Sequence, residues 1–244
     1  MWEPSPAVIA KVIAAAERCV PRECCGLIRG EEYIPVENVA PDDAAFLMKT
    51  ADFLAVLRDG PVDAVAHSHV FLPPVASETD LTSCEASKLP WLIVSIPNNT
   101  HTVIRPSGFR APLVGRSWGW GVHDCFSLVR DGMSAYAGIN VPDIDREWEF
   151  WRKSDDFIRA SMPAMGFVEL PPGTPLQHLD VLGMKVHGRV VNHLGLFLAP
   201  DRLLHQMAHR PSVVEMYGGT YQAHTDLHAR HVDMLQQGGF HAHP

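Results

Sequence analysis

Within the fourteen positions 67 to 80, "HSHVFLPPVASETD" holds His67, His69, Ser77 and Asp80. The histidines sit two apart in the β-branched, apolar run "VDAVAHSHV". On a strand, alternate side chains share a face, so both imidazoles can approach one ion. Ser77 is a natural N-cap for a helix "ETDLTSCEAS", from which Asp80 supplies a carboxylate oxygen. Two histidines and a carboxylate leave the fourth position of a tetrahedral zinc open for water, which is the catalytic arrangement rather than the structural one. A general base still helps such water to react. Glu23, the only carboxylate between Pro21 and Gly30, is the candidate. Alone, an HxH pair reads as a strand with one polar face; Glu23, Ser77 and Asp80 in register favour the metal.

A second set needs no metal. Cys125, in "HDCFSLVRD", falls in the first turn of a predicted helix, where unpaired N–H groups and the positive dipole end favour a thiolate. His193 in "NHLGLFL" is the candidate base, and His205 in the following strand "LLHQM" can orient it through the second ring nitrogen. Nucleophile, base and orienting group form a generalised triad. Oxyanion donors are expected from the Cys125 backbone N–H and a side chain of "SWGWGVH". Read as a strand, His224, Asp226, His228 and Arg230 alternate with Ala223, Thr225, Leu227 and Ala229 as ordinary polar-out patterning, so this histidine group is structural. His241 and His243 are expected in a frayed tail and carry no assignment.

The elements that must hold these residues are legible in outline. Ser5 and Pro6 open an amphipathic helix over "SPAVIAKVIAAAER". Strands are predicted at "CGLIRG", "YIPVENV", "VDAVAHSHV" and "WLIVSIP", with a helix at 50–59. Pro, Gly and Ser crowd residues 105–119 without any sustained period, which places a boundary there and divides the chain into residues 1–108 and 109–244. Beyond it, Asp124 caps and Gly138 ends a helix, a Trp-rich helical stretch is expected around 143–160, and strands follow at "LDVLGMKV", "NHLGLFLA", "RLLHQM" and "HTDLHARHV". Helices first and consecutive strands after predict an α+β second domain.

The residues of the first set resemble the JAB/JAMM metalloprotease motif: Glu23 in a P-x-E-x-C-G-like context, then H-S-H, seven residues, Ser77, two residues, Asp80. "ENVAPDDAAFLM" is similar to that family's intervening segment with Asn and Phe. The resemblance implies an MPN-like β-sheet with flanking helices. In it His67, His69 and Asp80 ligate Zn2+, Glu23 activates water, and Ser77 stabilises the oxyanion. The second set resembles the NlpC-type cysteine peptidases, a papain-like α+β family, with Cys125 as nucleophile, His193 as base and His205 as orienter. One departure stands out: Leu179-Asp180 occupies the place where that family often has Gly-Asp.

The two modules in this order, with "LVGRSWGWGVHDCFSLVRD", "INVPD", "NHLGLFL", "LLHQM" and "YGGTYQ", resemble a family of tail tip proteins of lambda-like phages. That implies other tail tip proteins as partners, a place in the virion tail tip, and host cytoplasm during assembly. It further implies peptidoglycan stem peptides or a protein as substrate. A structural plug or adaptor using neither site is the alternative.

Composition limits the rest. The 244 residues are 46% hydrophobic and 20% charged, enough apolar material for two cores. Net charge is −8 with no basic stripe, which excludes a nucleic-acid backbone as partner. No apolar run reaches the length of a membrane span, and "MWEPSPAVIAKV" lacks the basic and apolar regions of an export signal, so a soluble protein is expected. Five cysteines at irregular spacing, without CxxC pairs, argue against a disulfide framework and a thiolate zinc site.

Overall fold

The computed structural model of the chain describes residues 2–153 and 155–237; His241 and His243 lie outside them. Two compact units divide it, Met1–Ala111 and Pro112–Pro244. Both mix helices with one sheet, the α+β class expected.

In the first unit, α1 (Pro6–Cys19) begins where Ser5 accepts a hydrogen bond from the Val8 N–H. Next come β1 (Cys25–Arg29), β2 (Glu32–Val36), α2 (Thr50–Arg58), β3 (Ala64–His69), α3 (Glu78–Ser87), β4 (Trp91–Ser95) and β5 (Thr100–Ile104). The sheet order is β2-β1-β3-β4-β5. Only β3 and β4 run parallel, and α3 lies in the crossover between them. Pro35 cannot donate to a ladder, and β2 accordingly takes an edge. At Gly26 an added Cβ would stand 2.3 Å from the Ile34 carbonyl oxygen, so β1 admits no side chain there.

Period-two alternation divides the apolar residues between the sheet's faces. Ala64, Ala66, Leu92 and Val94 pack under Val8, Val12, Ala15 and Ala16 of α1. Leu27, Val65 and Trp91 pack with Cys84 of α3 and Phe53 of α2 on the other. Each fully buried large side chain contributes about 1.5–3 kcal/mol. His67 and His69 share the parity of Val65, so β3 delivers both imidazoles to the α3 side.

The second unit starts from α4 (Cys125–Ala137), capped by Asp124 and ended by Gly138 in the left-handed region. After it come a short 3-10 turn at Phe150–Arg152, α5 (Phe157–Ser161), β6 (Phe167–Glu169), β7 (Val181–Met184), β8 (His193–Leu198), β9 (Arg202–His205), β10 (Val213–Met216), α6 (Thr220–His224), β11 (Thr225–His231) and α7 (Val232–Gln237). The sheet runs β10-β9-β8-β7-β11-β6, antiparallel throughout. Phe126, Leu128, Val129 and Met133 of α4 pack with Leu194, Leu196 and Leu204. A Cβ on Gly132 would come within 2.8 Å of Leu196, so the glycine permits close approach of α4 to β8.

Two expectations fail here. Among the described residues the Trp-rich stretch is largely irregular, with helix only at 157–161 and the short 3-10 turn. Its side chains serve tertiary contacts instead, the indoles of Trp148 and Trp151 packing edge-on 5.2 Å apart. In β11 the polar residues do not all face out. Arg230 is buried and bonds Asp180, itself fully buried, at 2.6 and 2.9 Å, and His228 adds a contact at 2.7 Å. A buried carboxylate needs such partners, and β11 supplies them. His224 belongs to α6 rather than to the strand.

Two candidate active sites

Ser77 caps α3 through a capping box. Its hydroxyl accepts from the Asp80 N–H at 3.1 Å, and the Asp80 carboxylate accepts from the Ser77 N–H at 2.8 Å. That carboxylate also takes the Ser77 hydroxyl at 2.7 Å, which fixes its orientation toward β3. Asp80 Oδ1 lies 3.3 Å from His67 Nε2, Asp80 Oδ2 lies 3.7 Å from His69 Nε2, and the two Nε2 atoms are 3.3 Å apart. Ligand atoms of all three residues fall within 4.8 Å of one another, the one such group among the described residues.

The tautomers bear on what fits. His69 Nδ1 stands 2.8 Å from the Pro73 carbonyl, which can only accept, so the proton is on Nδ1 and the Nε2 lone pair faces the cluster. His67 Nδ1 is buried without a hydrogen-bond partner, and its ring stacks on Phe46 at 4.5 Å. Two imidazole nitrogens and a carboxylate converging in a buried place form a nitrogen and oxygen donor set suited to zinc. Burial opposes the ionised Asp80, but His67, His69 and Ser77 outweigh it and hold the carboxyl far below its usual range.

Glu23 precedes β1 and is buried beside this cluster. Burial pushes it up to about 7, with His67 and His69 pulling the other way and Asp80 reinforcing. Asn38 fastens the surrounding loops. Its amide donates to the carbonyls of Glu23 and Ala45 at 2.9 and 3.0 Å, and its oxygen accepts from the N–H groups of Ala40 and Leu47. The Asn and Phe noted in "ENVAPDDAAFLM" thus have definite tasks, Asn38 holding the Glu23 segment and Phe46 backing His67.

At the second site, α4 begins with the same device in reverse order: Asp124 accepts from the Ser127 N–H at 3.0 Å, and Ser127 Oγ accepts from the Asp124 N–H at 2.8 Å. Arg146 closes on the Asp124 carboxylate at 2.7 and 2.9 Å and lies over the Phe126 ring at 4.8 Å. Fully buried Arg116 joins Asp131 and Ser127 of α4 at 2.6 and 3.1 Å and Gln206 at 3.3 Å, tying the segment before Cys125 to the helix.

Cys125 and His193 line one cleft of about 210 Å³, walled by Trp118, Trp120, Trp148 and Trp151. The Trp120 indole N–H, in the stretch expected to hold an oxyanion donor, is buried without a hydrogen-bond partner. His193 Nε2 meets His205 Nδ1 at 3.0 Å, so β8 and β9 place the two imidazoles side by side. The helix start was expected to favour a thiolate. Burial instead pushes the Cys125 thiol up to about 12, assisted by the Asp124 charge, and burial with His205 pushes His193 down to about 3. Both shifts favour the neutral forms of thiol and imidazole.

Leu179, the residue in the usual glycine position, holds φ at 68° and is buried. The turn keeps its left-handed geometry without glycine, at a cost of about 1–2 kcal/mol. Sequence reading brought Cys125, His193 and His205 forward but missed Arg116 and Arg146, whose carboxylate partners lie 15 and 22 positions away.

The first unit, with its sheet between helices and its His-x-His strand, is a JAB-like domain: residues 5–106 match the prokaryotic homologs of the JAB domain. Over almost the whole chain the similarity is more particular. Tail tip assembly protein K of Escherichia phage N15 is 33% identical over 233 residues, covering 93% of this chain and 95% of that protein. Its counterpart in Escherichia phage lambda is 31% identical over 184 residues, covering 75% and 89%. The chain belongs to the tail tip assembly protein K family. A crystal structure from Staphylococcus aureus, described as similar to a lipoprotein of the NLP/P60 family, overlaps 92% of this chain and 61% of its own at 12% identity, with a TM-score of 0.34.

Proposed function

We propose that this is a tail tip assembly protein with two hydrolase sites, a zinc (iso)peptidase in the first unit and a cysteine peptidase in the second. It acts among other tail tip proteins in the virion or in the host cytoplasm during assembly. The observation that carries the metal reading is the convergence of His67 Nε2, His69 Nε2 and Asp80 around one buried point.

His67, His69 and Asp80 hold zinc in this reading. When bound, the ion supplies Lewis-acid polarisation and lowers the pKa of water. Glu23 takes the proton of the attacking water and delivers it to the leaving nitrogen. Ser77 orients Asp80 in the resting protein and turns to the oxyanion in the reaction.

In the second unit the Cys125 thiol passes its proton to His193 as sulfur adds to the scissile carbonyl. The imidazolium returns that proton to the leaving amine, and the acyl group stays on Cys125 as a thioester. Water then adds, gives its proton to His193, and the thiol reforms as the acid leaves. A peptide bond of a peptidoglycan stem is the substrate proposed, with the Trp-lined cleft holding its neighbouring groups.

The burial that raises the Cys125 thiol and lowers His193 works against a resting ion pair and favours a second reading, a structural plug or adaptor. Activity assays on wild type, Glu23→Ala and Cys125→Ala, with zinc measured on the same samples, separate the two. Cys125→Ala is expected to lose stem-peptide cleavage by on the order of 10⁴-fold with zinc retained. His67→Ala is expected to lose the zinc. Phage tails that assemble and infect with both Glu23→Ala and Cys125→Ala would favour the plug.

A further inference from the structure

We propose that Glu215 is a positioning residue of the second site: it sets the tautomer of His205, through it that of His193, and so leaves His193 Nδ1 as the nitrogen able to accept a proton. The inference rests on the cysteine-peptidase reading for its catalytic meaning, but the proton arrangement itself does not depend on it.

Glu215 stands on β10, where Val213 pairs with His205 and Glu215 with Leu203 of β9. Its carboxylate lies 3.2 Å from His205 Nε2 and also takes a hydrogen bond from the Tyr221 hydroxyl of α6. The Tyr221 ring covers His205 edge-on at 4.7 Å, and His205 is only 1% exposed. Tyr221 and His205 hold the Glu215 carboxyl below its usual value, so it is ionised at neutral pH and can only accept.

The remaining assignments follow from counting protons. Burial, opposed by Glu215, keeps His205 below the ordinary histidine value and neutral, with one N–H to place. An ionised carboxylate at Nε2 claims it, which leaves His205 Nδ1 as a lone pair. The 3.0 Å contact with His193 then requires His193 to donate from Nε2. A neutral imidazole with its proton on Nε2 has its basic pair on Nδ1. When His193 becomes an imidazolium during attack by Cys125, the same chain places a carboxylate two hydrogen bonds from the new charge. His205 alone could orient His193 with either tautomer; Glu215 removes that ambiguity.

The test reads tautomers directly in the full chain with ¹⁵N-labelled histidine, signals assigned through His193→Gln and His205→Asn. Wild type is expected to show the proton on Nε2 of both residues; His205 carrying its proton on Nδ1 would overturn the proposal without any variant. In Glu215→Ala and Glu215→Thr, at a half-exposed position on an edge strand, both histidines are expected to move to mixed or Nδ1-protonated forms. Alkylation of Cys125 by iodoacetamide is expected to slow by on the order of 10²-fold, with Glu215→Gln, which keeps an acceptor oxygen, restoring most of it. Unchanged tautomers and alkylation in folded Glu215→Ala would also overturn it. Expected tautomers in a wild type that cleaves no peptide would retain the proposal and defeat the peptidase reading instead.

Discussion

The two units begin their functional helices with the same capping box written in opposite order, Ser77 with Asp80 on α3 and Asp124 with Ser127 on α4. In the first, the carboxylate sits at the third helical position and turns toward two histidines. In the second, it sits at the cap itself, adjoins Cys125, and is neutralised by Arg146. The first site gathers two imidazole nitrogens and a carboxylate around one buried point, whereas the second closes its hydrogen bonds internally, from Glu215 through His205 to His193. One local device therefore serves two purposes: it aims Asp80 at two histidines in one case and buries the Asp124 charge beside the Cys125 thiol in the other.

The largest test of that contrast is acid. His193 is held down to about 3 by burial and His205, so the unfolded chain binds this proton below about 6.5 while the folded chain does not. Stability from this group is complete above about pH 6.5 and is lost as pH falls toward 3, by up to about 5 kcal/mol. Asp80 is also held low, so its contribution likewise falls with acid, but only once pH drops through the unfolded carboxylate value of about 3.9, below most of the window in which His193 acts. Hydrogen exchange at pH 5 is therefore expected to loosen residues 193–205 before 64–69, and His193→Gln is expected to flatten the difference. Equal protection of both segments in wild type across this range would remove the contrast.

Which parts of this were legible beforehand follows from where the determinants lie. The ends of α1, α3 and α4 were readable because Ser5, Ser77, Asp124 and Gly138 act on their immediate neighbours. The cluster of His67, His69 and Asp80 was readable because β3 and α3 carry all three residues within fourteen positions. The short strands β5, β6 and β10 carry weak patterns: β6 depends on a ladder with β11, about sixty positions away, and β5 and β10 pair only with the strand before them at a sheet edge. The Trp-rich stretch kept helix-forming residues but gave its side chains to the cleft. Glu215 and Arg146 gave no signal because an isolated charge in a sequence looks like solvated surface until its buried partner is known.

A middle-sized effect tests the second box. Asp124→Ala removes the cap and leaves Arg146, with a side chain 3% exposed, short of its main counter-charge. Loss of one partner of a buried pair costs about 3–5 kcal/mol. Urea unfolding of the variant is expected to show it, and combining it with Arg146→Met is expected to recover part of the loss. Similar stability of single and double variants would mean that the pair matters less than the cap.

The smallest stability effect belongs to Ser77 and says most about the first site. As an N-cap alone, Ser77→Ala should cost about 1 kcal/mol. The hydroxyl also holds Asp80 at 2.7 Å, so its loss should free the carboxylate to turn away from His67 and His69. Removing such an outer partner typically weakens metal binding by about 10–100-fold. Zinc titration of Ser77→Ala is thus expected to show a clear loss of affinity beside a minor loss of stability, while Ser77→Thr, which keeps the hydroxyl, is expected to retain both. Unchanged affinity would confine Ser77's hydroxyl to the helix start and make the first box a structural cap like any other, leaving Asp80 to be oriented by the Ser77 backbone N–H and the histidines.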